Sequence, residues 1–237
     1  MERRNARQTR ELVVPGDVLD ASGMKAGDNA YVLDGKVRAS IMGVRNVFQN
    51  TVGVIPLRGC YMPSSGDLVI GVIVDIGPSN WLVDIGAPYP APLHVNEVPW
   101  KVEFGDTGRY LTIGDTVLLK VLSVDESKKI QVTMKDSGLR KIEGGRLISI
   151  NHSKVSRVIG KQGSMISLLK NMTDCRITVG QNGTIWVDGD DMNADVACEA
   201  IRMIEEKAQS GNLTDKIEKF IAEKIPQTDD DYNEGDE

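Results

Sequence analysis

At 237 residues the chain is long enough for several small domains, and 41% hydrophobic with 26% charged residues is the balance of a packed globular protein, not a disordered or fibrous one. No apolar run approaches the roughly 20 residues that cross a bilayer, and Arg3, Arg4, Arg7 and Arg10 are not followed by the apolar stretch of a secretory signal, so a cytoplasmic protein with no membrane partner is expected. The net charge of −6 argues at first against nucleic acid, but Asp229, Asp230, Asp231, Glu234, Asp236 and Glu237 put six acids in the last nine residues, leaving a neutral body (−6 + 6 = 0).

In chain order, residues 12 to 63 read as short strands: Leu12 to Val14, Ala30 to Leu33 and Lys36 to Val44, with Asp34-Gly35 as a hairpin turn. Gly-Asp recurs at Gly16-Asp17, Gly66-Asp67 and Gly114-Asp115, each time ahead of β-formers, which suggests barrel-like sheets with sharp entries. Strands continue as Leu68 to Ile76, Trp81 to Ile85, Thr116 to Asp125 and Lys129 to Met134, the set of an OB-type barrel. Between them Gly86 to Pro92 reads as a stiff connection, able to pose Tyr89 and Trp100 toward a partner.

After Lys141 the hydrophobic period changes. Arg146 to Ile150 is a strand, Ser153 to Val158 and Ser164 to Met172 are helices, and Arg176 to Val179 and Thr184 to Val187 are strands across Asn182-Gly183. Asp190 or Asp191 can cap a helix from Met192 to Lys207, giving the order β-α-α-β-β-α. A last amphipathic helix, Thr214 to Ile225, stops at Pro226, and the acidic tail beyond is expected to be disordered. The domains are therefore expected at 1–63 (small β-barrel-like), 64–140 (barrel), 141–210 (α+β) and 211–237 (helix and tail), a mainly β multidomain chain.

Cys60, Cys175 and Cys198 lack the paired spacing of a zinc site or disulfide framework and read as buried thiols. With only His94 and His152 in the chain a His-based metal site would need carboxylates from distant segments, and Asp188, Asp190 and Asp191 sit at a strand-helix turn where capping explains at least one of them, so no metal, no other cofactor and no catalytic residue is expected. Between residues 140 and 176, Arg140, Lys141, Arg146, Lys154, Arg157, Lys161, Lys170 and Arg176 stand against Glu143 and Asp174, an excess of six positive charges (8 − 2). Such a run is either a solvated face or an electrostatic footprint for phosphate.

Within that run lies Val158-Ile159-Gly160-Lys161-Gln162-Gly163, between two helices. Glycines let such a turn approach a sugar-phosphate backbone closely, and the following helix offers backbone N–H groups and a positive dipole end. A phosphate-loop NTPase would need Ser or Thr where Gln162 follows Lys161. The stretch Ser156 to Ile166 resembles a KH domain, here of type I order, whose Gly-x-x-Gly loop clamps about four nucleotides of RNA. The resemblance implies RNA contact by Lys154, Arg157, Gly160, Lys161, Gln162 and Gly163; a loop serving only as a helix-helix turn is the alternative.

The barrel, through Gly71 to Gly77, Trp81 to Asp84, Leu93 to Val98 and Leu122 to Asp125, resembles an S1-type domain. That resemblance implies an RNA-facing surface with Trp81, His94 and Lys129, and Asp125 nearby, although Ile76 stands where the family has its first aromatic. The alternatives are a core role for Trp81 and a structural hydrogen bond for His94.

The whole order, β-unit, S1-type barrel, KH domain, resembles the RNA-binding cap subunit of the archaeal exosome. It implies as partners RNA, a hexameric ring of RNase PH-like subunits contacted by the N-terminal unit, and the other subunits of a trimeric cap, with no DNA. A transcription-elongation factor with S1 and KH modules, or a free-standing ribonuclease, are the other readings.

Overall fold

The computed structural model describes residues 11–20, 23–56, 59–125, 128–207 and 212–225, in two compact units divided after Gly59. The arginine arm and the acidic tail lie outside the described residues.

The first unit comprises β1 (Leu12–Val13), β2 (Val18–Asp20), β3 (Lys25–Ala26), β4 (Ala30–Leu33), β5 (Lys36–Ala39), β6 (Gly43–Phe48) and β7 (Thr51–Pro56). They form two small sheets, β1-β6-β7-β3 and β2-β5-β4. The stretch expected as one strand from Lys36 to Val44 is broken after Ala39, because β5 and β6 belong to different sheets. Val13, Leu19, Val37, Ala39, Val52 and Val54 make a small core between them.

In the second unit β8 (Leu68–Ile76), β9 (Asn80–Asp84), β10 (Ala91–His94), β11 (Thr116–Val124) and β12 (Ile130–Thr133) close a five-stranded barrel, with β13 (Arg140–Ile142) added beside β11. Alternate residues fill it: Val69, Ile73, Val83, Ala91, Leu93, Val117, Leu119, Val121 and Val132 are buried. The proline-rich connection gives way to strand at Ala91, because Ala91 and Leu93 point inward while Pro92 and His94 point out.

Each Gly-Asp pair builds the same turn. Gly16, Gly66 and Gly114 sit at φ 95°, 94° and 93°, and each following carboxylate accepts the N–H three residues back: Val14 to Asp17 (2.9 Å), Ser64 to Asp67 (3.0 Å) and Thr112 to Asp115 (2.8 Å). The side chain thereby satisfies a backbone donor that would otherwise lack a partner at the strand entry.

The KH part follows as β14 (Arg146–Ser149), α1 (Val155–Ile159), α2 (Ser164–Thr173), β15 (Arg176–Val179), β16 (Thr184–Asp188) and α3 (Asp191–Glu206). Its sheet runs β14-β16-β15. The Asp190 carboxylate accepts from Met192 N–H at 3.2 Å and starts α3. A final helix, α4 (Leu213–Lys224), buries Ile217 and Ile221 in the same core as Val158, Leu169, Ile185 and Ile201.

Barrel and KH sheet are joined by a specific seam. Trp186 of β16 is packed with Ile70, Leu118 and Ile142 of the barrel strands, and its Nε1–H donates to the Gly144 carbonyl at 2.9 Å. At the hairpin tip Asn182 Nδ2–H donates to the carbonyls of Ile70 (2.7 Å) and Ile85 (3.0 Å), while Ile70 N–H donates back to Asn182 Oδ1 (3.3 Å). A Cβ at Gly180 would collide with Asn182 Oδ1 and stand 3.0 Å from Ile70 N, so glycine there leaves room for the anchoring Asn182 side chain.

Cys175 and Cys198 are buried free thiols with pKa values raised by burial. Cys60 departs from the expectation of burial: it is exposed, its Sγ–H donating to the Gly86 carbonyl at 3.3 Å. No helix among the described residues is long and apolar enough to cross a membrane.

Candidate nucleic-acid interface

The Gly-x-x-Gly loop is built from both ends. Asn151 Oδ1 accepts from Ser153 N–H at 3.0 Å and starts a 3-10 turn over His152–Lys154, which runs into α1. Val155 and Val158 bury one face of α1, and the helix is stopped by Gly160 at φ 76°, ψ 176°. A Cβ at Gly160 would lie 2.6 Å from Met165 N, so α2 begins against bare backbone there. Gln162 (φ 53°) and Gly163 (φ 81°) then turn the chain into α2, leaving Lys161 and Gln162 exposed. The amino end of α2 adds its dipole to the same spot.

The structure divides the eight basic residues in two. Lys141 pairs with Asp115 (2.8 Å), Arg146 with Asp191 (3.1 Å) and Asp195, and Arg176 with Asp188. Arg140 and Arg176 also lie over the Trp186 ring, 5.4 and 5.8 Å from its centroid. The acids that neutralise this group come from outside the 140–176 window, so the window overstates the free charge. Lys154, Arg157, Lys161 and Lys170 have no acidic partner among the described residues; the first three belong to the helical elements beside Gly160–Gly163, and Lys170 lies in the last turn of α2.

The four barrel positions are not gathered in one place. Trp81 is 0% exposed in the barrel core, and its Nε1–H donates to the Leu111 carbonyl at 3.3 Å. This corrects the expected stacking role, since a ring enclosed on both faces offers none to a base. Its antiparallel partner row explains the outcome: Trp81 sits opposite Leu93, both inward, and Asn80 sits opposite His94. His94 is exposed on the outer face, where Nδ1 accepts from Asn96 N–H at 3.1 Å and caps a short 3-10 turn over Val95–Glu97. When the ring is neutral the proton is therefore on Nε2.

Asp125 and Lys129 are exposed in the hairpin between β11 and β12, with Asp125 Oδ1 accepting from Lys129 N–H at 2.8 Å. Because Leu93 is bridged to Val132 in a parallel pair, Lys129, which precedes β12, lies several residues short of the row of His94.

Two features escaped the sequence reading. Asn182 was legible as a turn residue but not as the anchor to the barrel. Phe104 sits in the loop between β10 and β11 and is 84% exposed.

Near the KH seam, burial lowers the pKa of His152, whose ring meets Tyr61 edge-on with centroids 6.1 Å apart. Asp115 is partly desolvated, which pushes its pKa up, but the bonds from Lys141 and Thr112 outweigh this and hold it below the usual carboxylate value. Among the described residues no group of three or more His, Cys, Asp or Glu could hold a metal ion.

Three family models match in succession: "Exosome complex exonuclease RRP4 N-terminal region" over residues 12–47, "S1 RNA binding domain" over 62–135 and "KH domain" over 146–206. Exosome complex component Rrp4 of Methanosarcina acetivorans is 45% identical over 212 residues, covering 90% of this chain and 82% of that protein. The component of the same name from Thermoplasma volcanium is 42% identical over 214 residues, covering 90% and 91%. A crystal structure described as an exosome complex RNA-binding protein superimposes with a TM-score of 0.65 at 36% identity, over 70% of this chain and 97% of that one. With the fold, the domain order and this identity in agreement, the chain belongs to the family of exosome complex component Rrp4.

Proposed function

We propose that the chain captures RNA as a non-catalytic cap subunit of an exosome and passes it to a ring of RNase PH-like subunits that degrades it by 3'-to-5' phosphorolysis. The observation that carries this reading is the set of Lys154, Arg157 and Lys161 around the Gly160–Gly163 loop, cations without acidic partners among the described residues, beside the amino end of α2 in a KH fold, with Lys170 farther along the same helix. Several such caps on one ring would hold a strand by avidity, since each added weak site raises effective concentration without any new contact.

Two further observations support the assignment. The first unit leaves Leu12, Val32, Leu33, Phe48 and Ile55 exposed, apolar side chains from both of its sheets that are available for docking on a protein ring. The carboxylates at the β16–α3 turn, the nearest approach to an acidic constellation, are already engaged: Asp188 with Arg176, Asp190 with Met192 N–H, and Asp191 with Arg146.

The test is a degradation assay with labelled oligoribonucleotide, inorganic phosphate and magnesium. The ring with this chain is expected to shorten RNA faster than the ring alone, and the chain alone to leave it intact. Shortening by the chain alone, or no gain on adding it to the ring, would overturn the proposal.

A further inference from the structure

The barrel surface has a gap that the RNA-binding reading leaves open. An S1-type surface is expected to stack bases, yet Ile76 holds one aromatic position and Trp81 is enclosed in the core. A ring stands at the edge of that surface, supplied by a different segment. Phe104 is 84% exposed and takes no part in the barrel core.

Its backbone, in contrast, is held immediately on the C-terminal side. Gly105 N–H donates to the Pro78 carbonyl at 2.9 Å, and the buried Thr107 donates its hydroxyl to the Gly77 carbonyl at 2.7 Å. The loop is thereby tied to the turn that follows Ile76 and leads to Asn80, the partner of His94. Farther along, Tyr110 stacks on Trp100 with centroids 5.9 Å apart and planes 9° from parallel, and its hydroxyl donates to the Lys101 carbonyl at 2.9 Å.

We infer that Phe104 is the barrel's stacking residue for single-stranded RNA, placed by its loop at the rim of the His94 surface in the role that Ile76 and Trp81 do not fill. A free aromatic face on a held backbone meets the two requirements of base stacking, access and small entropy loss. The neighbouring charges cancel, Lys101 and Arg109 against Glu103 and Asp106, with Arg109 paired to Asp106 at 3.2 Å. The contact is therefore a π-face contact and not a phosphate clamp.

This inference rests on the RNA-binding reading above, and the experiment separates the two. Full-length chain, as wild type, Phe104→Ala, Phe104→Leu and Phe104→Trp, is titrated with an oligoribonucleotide containing 2-aminopurine, at low and high salt. Wild type and Phe104→Trp are expected to quench the fluorophore. Phe104→Ala and Phe104→Leu are expected to lose the quenching and bind at least about fivefold more weakly, by a factor that does not shrink with salt. Wild-type affinity and quenching in Phe104→Ala would overturn the stacking role while leaving RNA binding intact, as would full activity in Phe104→Leu. Loss of ring association by Phe104→Ala with unchanged RNA affinity would make Phe104 a protein contact instead. If the wild type binds no RNA, either free or on the ring, the broader reading fails as well.

Discussion

The first unit and the barrel–KH unit handle the same kind of residue in opposite ways. In the second, the larger unit, most of the large apolar side chains are inside: Trp81, Ile73, Leu93, Leu119, Leu169, Ile185 and Ile201 are fully buried, and even Trp186, at the seam, is 3% exposed, while Phe104, Ile113 and Met192 stand out in solvent. In the first, the core consists of five aliphatic residues and Ala39, while Val32 and Phe48 are 60% and 69% exposed. Burial of apolar area is the main driving force of folding, so a unit that leaves so much of it in water has surface to spare for another chain. On the proposed function the difference has a meaning: the second unit buries most of its apolar side chains by itself, whereas the first would gain by being covered.

Breaking the seam should have the largest effect. Trp186→Ala empties a site lined by Ile70, Leu118 and Ile142 and is expected to cost about 3–5 kcal/mol, read as a drop in urea stability with barrel and KH losing their common transition. Asn182→Ala removes the partner of the Ile70 N–H and of the carbonyls of Ile70 and Ile85. A loss of about 1–3 kcal/mol is expected by the same measurement, and wild-type stability would show the seam to be apolar only.

Sharpening it on the binding side, Lys154→Glu with Lys161→Glu should weaken oligoribonucleotide binding by about tenfold or more. The slope of log affinity against log salt should also become shallower by roughly 1.4. An unchanged slope would mean that these lysines do not meet phosphate.

A smaller effect is expected from acid. The His152 pKa lies below its ordinary 6.5 because of burial, so the folded state binds fewer protons than the unfolded one. Its contribution to stability is complete above 6.5 and is lost as pH falls through the folded value. Thermal unfolding from pH 7.5 to 5 should show this decline, reduced in His152→Gln. Least change in stability is expected from Val32→Glu with Phe48→Glu, within about 0.5 kcal/mol each because both are exposed, yet co-elution with the ring should be lost. Retained co-elution would remove the contrast between the two halves.

Much of this was legible in the sequence where local rules decide. The KH order, the hairpin at Asn182-Gly183, the Asp190 cap and the repeated Gly-Asp turns all depend on residues within a few positions of one another. What escaped depends on distance. Asn182 meets Ile70 across 112 positions, and the acids that neutralise Lys141, Arg146 and Arg176 lie outside the basic window. Ala91 to His94 was hidden because proline is a poor strand former, although the inward Ala91 and Leu93 carry the alternation. Trp81 was ambiguous for another reason: an aromatic in a strand reads the same whether it faces core or solvent, and only the pairing with Leu93 decides.

The anchoring of the KH hairpin tip to β8 has one more consequence. With Asn182 bonded to barrel backbone and Trp186 wedged beside it, the KH sheet is tied to the barrel whose outer face bears His94. If the proposed function holds, a polymer touching both would have to bridge a set interval, and the molecule would act as a caliper. A KH module transplanted from elsewhere, without an Asn at that tip and a bare backbone at Gly180, would fold yet lose the calibration.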